Sequence, residues 1–307
     1  MKVGFVGLGS MGYALAENLR SAGHALTVYD SNPERVKSLA RRGSKPAATP
    51  AGVAQDAEVV FTCLPGPVEV EEVALSETGL LRAMKPGAIW FDLTTNSPET
   101  IRKLHQVFHA RGIALLDAPI SGGPSGAKTR QLALWVGGEQ TIFAKHEGFL
   151  RSIADCPLYM GPIGAGCVTK IVHNSASFTA QSALAEAFVL GVKEGLDPLR
   201  LFAALRDGTT GRCRTFDRLA EQFLSGIYEP PAFALTLAHK DIGLALALAR
   251  SRDYPMPQAE IAQQDMKRGI ERGWGLRDAR ISLSLHEERA GVSIRIPKEQ
   301  IDRVVAE

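Results

Sequence analysis

Short apolar runs alternate with longer helical patterns along the first half of the chain. The apolar runs predict strands at residues 3–6, 25–29, 58–62, 88–92, 113–117 and 132–136. Because helical segments separate these strands, we expect right-handed crossovers between mostly parallel strands. The pattern therefore predicts an α/β domain built on a mostly parallel, doubly wound sheet.

The pattern changes after residue 161, where the strand signals stop. Residues 167–190 contain neither glycine nor proline and are rich in small and apolar side chains, which predicts one long, largely buried helix. We expect further helices at 197–207, 215–224, 235–251, 257–272 and 276–290, and a short amphipathic helix in the tail at 297–307. The sequence thus predicts two domains, 1–162 with the sheet and 163–307 entirely helical, joined by the long helix.

A polar stripe runs along the predicted long helix. His173, Asn174 and Ser177 follow Lys170 by three, four and seven residues. This spacing places all four side chains on one face of a helix. A lysine is costly in a dry core. We therefore expect Lys170 to open onto a cleft or to have a partner there.

Composition, charge and cysteine usage narrow the class of protein. An apolar fraction of 45% with 22% charged residues is ordinary for a soluble globular chain, and a net charge of +2 without a basic block gives no nucleic-acid signature. Cys63, Cys156, Cys167 and Cys213 are far apart, so reduced thiols fit better than a disulfide or zinc framework. No leader peptide or membrane-spanning run is recognised. We expect a cytoplasmic protein without a metal site, a nucleic-acid partner or a membrane partner.

The first predicted strand ends in a glycine-rich turn that opens a helix. The turn consists of Gly7, Leu8, Gly9, Ser10, Met11 and Gly12. In dinucleotide binding, Gly7 would allow the tight turn, Gly9 would let the backbone approach a pyrophosphate, and Gly12 would let the helix pack on the strand. The helix N-terminus would offer N–H groups to the phosphates. We predict that these six residues bind a cofactor; the alternative is a turn whose glycines serve packing only.

An acidic residue ends the second predicted strand. Asp30 follows Gly12 by eighteen residues, a position where a carboxylate can bond both ribose hydroxyls of NAD and would repel a 2′-phosphate. No arginine follows until Arg35. We therefore predict NAD rather than NADP. Asp30 and the Asn32-Pro33 pair could also cap the next helix.

Several further loops follow predicted strands and should meet at one crevice, because ligands bind beyond the carboxyl ends of strands in open parallel sheets. These loops contain Leu64-Pro65, Thr94-Thr95 and Ser121-Gly122-Gly123.

Four blocks in order, at 7–12, 117–126, 164–174 and 240–241, resemble the β-hydroxyacid dehydrogenases, the group that includes 3-hydroxyisobutyrate dehydrogenase and tartronate semialdehyde reductase. The resemblance covers nearly the whole chain. It implies a Rossmann domain followed by an all-helical domain. It also implies an NAD(H)-dependent oxidoreductase that interconverts a small anionic 3-hydroxy acid and its semialdehyde, assembled as a homodimer or homotetramer.

The resemblance also implies roles for individual residues. Lys170 would be the catalytic general acid/base, Asn174 would hold the substrate, and Ser121, Gly122 and Gly123 would bind its carboxylate. The positions that would contact the nicotinamide cofactor are Leu64, Pro65, Thr95 and Lys240. A lysine whose pKa is lowered by partial burial can both remove and return a proton, which agrees with the role given to Lys170.

The sequence departs from the family pattern at two places that concern the substrate. Arg130-Gln131-Leu132 stands where the family commonly has Gly-Thr-Leu, and Arg212 and Arg214 lie in a loop that the family folds over the pocket. Because arginine binds anionic oxygens in bidentate fashion, the substrate could carry a second polar or anionic group, such as another carboxylate or a sulfonate. Salt bridges at the surface or between domains are the competing interpretation.

The motif Lys-x-x-His-Asn at 170–174 also occurs in decarboxylating 6-phosphogluconate dehydrogenases. Those enzymes place a glutamate seven residues after the lysine, where this chain has Ser177, and they carry an additional helical region. Decarboxylation is therefore disfavoured. His173 is a candidate for a hydrogen bond to a substrate hydroxyl, or a histidine satisfied within the core.

Two other functions are possible on the same fold. A non-catalytic dinucleotide-binding sensor or scaffold would be expected to lose the catalytic lysine, and imine reductases usually replace it. Because Lys170 and Asn174 are both present, the dehydrogenase is favoured.

Overall fold

The computed structural model describes residues 1–208, 210–212, 219–251 and 253–306. The chain divides into two compact units, Met1–Ala176 and Ser177–Glu307, and the division falls within a single long helix.

The first unit contains one twisted sheet. Its strands are β1 (Lys2–Val6), β2 (Ala25–Tyr29), β3 (Lys45–Pro46), β4 (Val59–Thr62), β5 (Ile89–Asp92), β6 (Ala114–Asp117), β7 (Ile120–Ser121), β8 (Ala133–Gly137) and β9 (Cys156–Gly161). The strand order is β3-β2-β1-β4-β5-β6-β8-β7, with β9 paired to β8. The order runs outward in both directions from β1, so the prediction of a doubly wound sheet is confirmed.

The strand pairs from β3 to β6 are parallel, as the sequence predicts. Strand β8 instead runs antiparallel to β6 and β7, and β9 returns parallel to β8. The connection from β7 to β8 contains only a short helix. The sheet is therefore mixed, with parallel pairs from β3 to β6 and an antiparallel β8 beside them.

Helices connect most of the strands of the first unit. They are α1 (Gly12–Ser21), α2 (Pro33–Ala40), α3 (Pro50–Ala54), α4 (Pro67–Leu75), α5 (Pro98–His109), α6 (Gly123–Thr129) and α7 (Gln140–Leu150), with a 3₁₀ turn at Leu80–Arg82. Asn32, Thr49 and Ser97 cap α2, α3 and α5 by accepting hydrogen bonds from backbone N–H groups of the first turn. A proline follows each of these caps, where its fixed φ favours the helix and no amide hydrogen bond is lost.

Aromatic residues fill the core of the sheet. Phe5, Phe61 and Phe91 on neighbouring strands stack with centroid separations of 5.9 and 5.5 Å, and all three are fully buried. Trp90 points to the other face, where its ring lies 4.8 Å from that of Phe108 on α5. Each fully buried side chain of this size contributes about 2–3 kcal/mol of transfer free energy. The sheet therefore provides a rigid frame for the loops at its carboxyl edge.

The second unit is helical. Helix α8 (Ala165–Lys193) enters it from the first unit, and α9 (Pro198–Asp207), α10 (Leu235–Ser251), α11 (Pro257–Glu271), α12 (Ser284–Ala290) and α13 (Lys298–Ala306) follow. A π-helical segment at Leu219–Leu224 and a 3₁₀ segment at Ala279–Leu283 complete the described part. The predicted helix at 276–290 thus starts as a 3₁₀ turn capped by Asp278. Residues 215–218 of the predicted helix at 215–224 lie outside the described residues.

In the single chain, much of the long helix that was predicted to be buried is exposed. Phe178 is 66% exposed and Leu184 43%, whereas Leu190 is buried with Leu246 and Met256 of the second unit. Apolar composition predicts that a helix needs a packing partner, but it does not identify which chain supplies that partner.

Candidate active site

A pocket of about 470 Å³ opens at the carboxyl ends of β1, β2 and β4. Gly7, Gly9, Ser10, Met11, Gly12, Asp30, Leu64 and Pro65 of the predicted site line it, together with Arg35, Tyr29, Ser31 and residues of α4. Leu8, also predicted, is buried directly behind the turn. The volume falls within the range of small-molecule and cofactor sites.

The three glycines of the turn differ in what surrounds them. Gly7 has φ +93°, and a Cβ there would meet the carbonyl oxygen of Cys63. A Cβ on Gly12 would meet the carbonyl oxygen of Gly7. A Cβ on Gly9 would meet nothing within 4 Å. Gly7 and Gly12 are therefore required by the fold itself. Gly9 faces open space inside the pocket, as a backbone that approaches a pyrophosphate would.

Asp30 is fixed at the end of β2. Its Oδ2 accepts a hydrogen bond from Leu8 N–H at 2.6 Å, and its Oδ1 accepts one from Asn32 N–H at 2.7 Å. Arg35 reaches the same carboxylate from α2, with Nη1 3.4 Å from Oδ1. A carboxylate has about four lone-pair sites, so these three partners leave one site for a further donor such as a hydroxyl. Asp30 therefore joins the glycine turn to the start of α2, beside the half-exposed Arg35 side chain that also lines the pocket.

A buried polar network orders the next two loops. Asp92 at the end of β5 accepts hydrogen bonds from Thr62 Oγ1 at 2.7 Å and Asn96 Nδ2 at 2.9 Å. Thr94 Oγ1 in turn accepts one from Leu64 N–H at 3.1 Å. Burial raises the pKa of the Asp92 carboxyl, although these hydrogen bonds act to lower it. The network joins the loop that contains Leu64 to the loop that contains Thr95. Thr95 itself is exposed and lies outside the residues that line the pocket.

Helix α8 begins at a carboxylate supplied by the sheet. Asp117, the last residue of β6, accepts hydrogen bonds from Gly164 N–H and Cys167 N–H, each at 2.7 Å. A negative charge at a helix N-terminus is stabilised by the otherwise unpaired N–H groups and by the helix dipole. Lys170 follows Cys167 by three residues, so Asp117 connects the sheet to the part of α8 that carries the polar stripe.

Lys170 is half-buried, and burial lowers the pKa of its ammonium group. Its Nζ lies 6.0 Å from the ring centroid of Trp135 on β8. The imidazole of His173 contacts the same indole, with centroids 5.0 Å apart. His173 Nδ1 is 3.2 Å from Asn174 Oδ1. The structure thus places Lys170 and His173 against one aromatic ring, with Asn174 in contact with His173.

The predicted carboxylate site occupies the turn from β7 into α6. Gly122 has φ +137° and packs against the Gln131 carbonyl and Leu132, whereas Gly123 has φ +66° and is open on its Cβ side. Ser121 is half-buried at the end of β7. Both glycines occupy a left-handed backbone region in which other residues are strained. The open face of Gly123 leaves room for an anion to approach the backbone.

Other predicted residues belong to the second half of the chain. Arg212 is exposed in the second unit. Lys240 belongs to α10, but its side chain lies outside the described residues, and Arg214 lies outside them altogether.

Sequence reasoning missed Trp135, Asp117 as the cap of α8, and the network around Asp92. The sequence does not distinguish Trp135 from a core residue, because an aromatic residue in an apolar strand usually packs in the core. Asp117 and Asp92 share a detectable signal, an acidic residue at the end of an apolar run.

The described residues show neither a metal-binding cluster nor a membrane-spanning helix. No group of three or more His, Cys, Asp and Glu side chains there is placed to hold a metal ion. None of the helices in that part of the chain combines the length and apolar character needed to cross a bilayer.

The strand order, the glycine turn and the acidic residue after β2 define a dinucleotide-binding protein. Residues 2–161 match the family model described as the NAD binding domain of 6-phosphogluconate dehydrogenase. Residues 164–284 match the model described as NAD-binding of NADP-dependent 3-hydroxyisobutyrate dehydrogenase.

The chain is 33% identical to 2-(hydroxymethyl)glutarate dehydrogenase of Eubacterium barkeri over 96% of this chain and 97% of the relative. It is 35% identical to 3-hydroxyisobutyrate dehydrogenase of Pseudomonas aeruginosa over 85% of this chain and 89% of the relative. An imine reductase from Myxococcus stipitatus, solved in complex with NADP+, superposes with a TM-score of 0.81. It covers 92% of this chain and 99% of that chain at 19% identity, a level that shows the fold alone. The chain belongs to the β-hydroxyacid dehydrogenase family, a group of dinucleotide-dependent oxidoreductases, which confirms the resemblance seen in the sequence.

Proposed function

We propose that the chain is an NAD(H)-dependent dehydrogenase or reductase that interconverts a small 3-hydroxy acid and its semialdehyde or oxo acid. The observation that carries the proposal is Lys170, a half-buried lysine on α8 whose pKa is lowered by burial. A residue of this kind can exchange a proton near neutral pH more readily than a fully solvated lysine.

Lys170 removes the hydroxyl proton of the substrate during oxidation and returns a proton to the carbonyl oxygen during reduction. When bound, the cofactor would supply the hydride chemistry at its nicotinamide. Asn174, four residues further along the same helix, orients the reacting oxygen, and His173 bonds a further substrate oxygen. Ser121, Gly122 and Gly123 bind the carboxylate through a hydroxyl and backbone N–H groups. The open Cβ side of Gly123 supports this role.

The cofactor is proposed to lie along the pocket at the carboxyl edge of the sheet. Its pyrophosphate meets the turn of Gly7, Leu8, Gly9, Ser10, Met11 and Gly12, and its adenosine ribose meets Asp30. Leu64, Pro65, Thr95 and Lys240 are assigned to the nicotinamide side by resemblance. Asp30 supports NAD over NADP, because its carboxylate would repel a 2′-phosphate.

The substrate carries one or two anionic groups. The names of two relatives include one substrate of each kind. Hydroxyisobutyrate has one carboxylate, and hydroxymethylglutarate has two. Arg130 and Arg212 are exposed and could serve either a second substrate carboxylate or surface salt bridges. We therefore include both classes of substrate in the test.

We also propose a homodimer or homotetramer in the cytoplasm, with domains at 1–162 and 163–307. An apolar groove of about 440 Å³ in the second unit, lined by Leu184, Phe188 and Phe202, supports self-association. Free thiols at Cys63, Cys156 and Cys167 support a reducing compartment. Light scattering of the purified protein would test the assembly.

The decisive experiment measures turnover of NAD(H) and NADP(H) with hydroxyisobutyrate, glycerate, 4-hydroxybutyrate, threonate and hydroxymethylglutarate, together with the corresponding semialdehydes. Lys170→Met should lower kcat by about a hundredfold or more on the best substrate. Lys193→Met is the matched control, because Lys193 is on the same helix and also lies over an aromatic ring, 5.8 Å from Tyr254.

An active Lys170→Met enzyme would overturn the assigned mechanism. Tight NADH binding without turnover on the whole panel would instead favour a non-catalytic sensor.

A further inference from the structure

Trp135 occupies a fixed position between the sheet and α8. Its backbone N–H donates to the Pro119 carbonyl at 3.1 Å. Its own carbonyl lies so close to Gly166 that a Cβ on that glycine would collide with it. The backbone of β8 is therefore packed directly against the first turn of α8, and the indole projects from an anchored position.

Two polar side chains of α8 lie against the indole of Trp135. Lys170 Nζ lies 6.0 Å from its centroid, at the outer limit of cation–π attraction, and the His173 ring lies 5.0 Å away at 49°. The two residues are three apart on one helix face, so one indole can contact both.

The surroundings of Trp135 differ from those of a core tryptophan. Trp90 is fully buried, packs against Phe108, and donates its indole N–H to Thr62 Oγ1 at 2.8 Å. Trp135 is only half-buried, and its ring lies near the ammonium group of Lys170 and the imidazole of His173. A ring that served packing alone would be expected to bury itself against apolar side chains, as Trp90 does.

We propose that Trp135 is a positioning residue of the active site, whose indole holds Lys170 and His173 in place on the reactive face of α8. His173 in turn restrains the amide of Asn174 through the contact between Nδ1 and Oδ1. The inference rests on the proposed role of Lys170 as the general acid/base. It also assigns a task to His173, namely to connect the indole to the residue that orients the substrate.

A lysine has four rotatable side-chain bonds, so its amine needs a surface that limits where it can lie. Loss of the indole would leave Lys170 present but poorly aligned with the reacting oxygen. Misalignment reduces the rate of proton transfer more than it reduces the binding of a carboxylate held elsewhere. The effect should therefore fall on kcat rather than on KM.

The test compares Trp135→Phe and Trp135→Leu with the parent enzyme. Trp135→Leu should lower kcat about five- to thirtyfold, with KM for substrate and NAD within about twofold. Trp135→Phe retains an aromatic face and should recover most of that loss. Trp274→Phe is the matched control, since Trp274 lies in the second unit with Arg272 5.1 Å from its ring, and it should leave kcat unchanged.

Tryptophan emission supplies a readout that does not depend on turnover. The contribution of Trp135 is the parent spectrum minus that of Trp135→Phe. An imidazole in contact with an indole quenches its emission, so His173→Asn should increase the Trp135 contribution. Lys170→Met should shift its emission wavelength, because a nearby cation perturbs the excited indole.

The outcomes separate this inference from the function on which it rests. The positioning role would be overturned if Trp135→Leu had the same kcat as the parent. It would also be overturned if Trp135→Phe lowered kcat as much as Trp135→Leu does. Unchanged emission in His173→Asn and Lys170→Met would also overturn it, even if Trp135→Leu failed to fold. An active Lys170→Met enzyme would instead overturn the proposed mechanism, whatever the Trp135 variants did.

Discussion

Asp117 Oδ2 accepts a hydrogen bond from Cys167 N–H at 2.7 Å, and this bond joins the end of β6 to the first turn of α8. Its other oxygen accepts from Gly164 N–H at the same distance. Asp117 is fully buried, so both of its oxygens depend on these protein partners. The placement of Lys170, one turn further on, follows from this junction.

Asp117→Asn should therefore reduce both stability and activity. The asparagine has one acceptor and would turn its NH2 group toward a backbone N–H, which costs about 1–3 kcal/mol in the free energy of unfolding. A displaced first turn also moves Lys170, so kcat should fall about tenfold or more even where the protein is fully folded. Denaturant unfolding and steady-state kinetics on the same preparation measure the two effects.

Asp278→Asn is the control for that comparison. Asp278 is also fully buried and accepts from Ala232 N–H and Phe233 N–H, but it lies in the second unit. It should lose similar stability and keep its kcat below the unfolding transition. If Asp117→Asn behaved in the same way, the junction would be structural and would not position Lys170.

The rate should depend on pH through Lys170. Burial lowers the pKa of its ammonium below the ordinary 10.5, so the neutral amine is present at lower pH than in a solvated lysine. Oxidation requires the neutral base, so kcat/KM for the hydroxy acid should rise with pH and level off above the lowered pKa. Reduction requires the ammonium form and should show the opposite slope through the same pH region.

Profiles of kcat/KM against pH in both directions would test this behaviour. Lys193→Met should keep the profile of the parent. An oxidation limb that rises only near pH 10.5, or that does not mirror the reduction limb, would contradict the assignment.

Two glycines of the same turn should respond differently to alanine. Gly12→Ala places a Cβ against the Gly7 carbonyl and should cost about 2–3 kcal/mol of stability. Gly9→Ala meets no atom within 4 Å and should fold normally, but the added methyl group should weaken NADH binding about tenfold or more. Thermal unfolding with and without NADH separates the two. Normal NADH affinity in Gly9→Ala would place the pyrophosphate elsewhere.

The sequence was sufficient to predict the doubly wound sheet and the helical second half, because both follow from the local period of apolar residues. It also placed Gly7, Gly9, Gly12 and Asp30 in one pocket, since parallel strands share a carboxyl edge. These predictions need only local patterns and one topological rule.

Other features depend on contacts between distant positions. Trp135 and Lys170 meet because β8 packs against the start of α8, a pairing that no local pattern encodes. The direction of β8 is another such feature, because its apolar run fits a parallel strand as well as an antiparallel one. The exposed face around Phe178 shows a similar limit, because apolar character indicates a partner without identifying it.

The left-handed backbone of Arg130 allows a test of whether a strained residue is kept because its side chain has a function. It has φ +65° at the end of α6, where the family commonly has glycine. A left-handed residue other than glycine costs about 1 kcal/mol, so Arg130→Gly should gain up to about 1 kcal/mol of stability. If the guanidinium binds a second substrate carboxylate, the same change should lower kcat/KM for dicarboxylates about tenfold and spare monocarboxylates.

Arg212→Ala measured on the same panel would distinguish the two arginines. A gain in stability with an unchanged ratio between the two substrate classes would favour the surface salt-bridge interpretation for Arg130.

The cofactor preference should depend on Asp30 and Arg35 together. Asp30 holds Leu8 and Asn32 and would face the ribose hydroxyls, whereas the Arg35 guanidinium lies 3.4 Å from the same carboxylate. Asp30→Asn keeps one acceptor but removes the charge that repels a 2′-phosphate. It should lower kcat/KM for NAD about tenfold and raise it for NADP, because Arg35 is then free to pair with the phosphate.

Arg35→Ala in the Asp30→Asn background provides the control for that prediction. It should abolish the gain with NADP and leave the residual NAD activity unchanged, because a solvent-exposed guanidinium contributes little to a neutral ribose. Steady-state kinetics with both cofactors at saturating substrate compares the parent, Asp30→Asn and the double variant. A parent enzyme that already prefers NADP, or a double variant that keeps the NADP gain, would show that Asp30 does not set the preference.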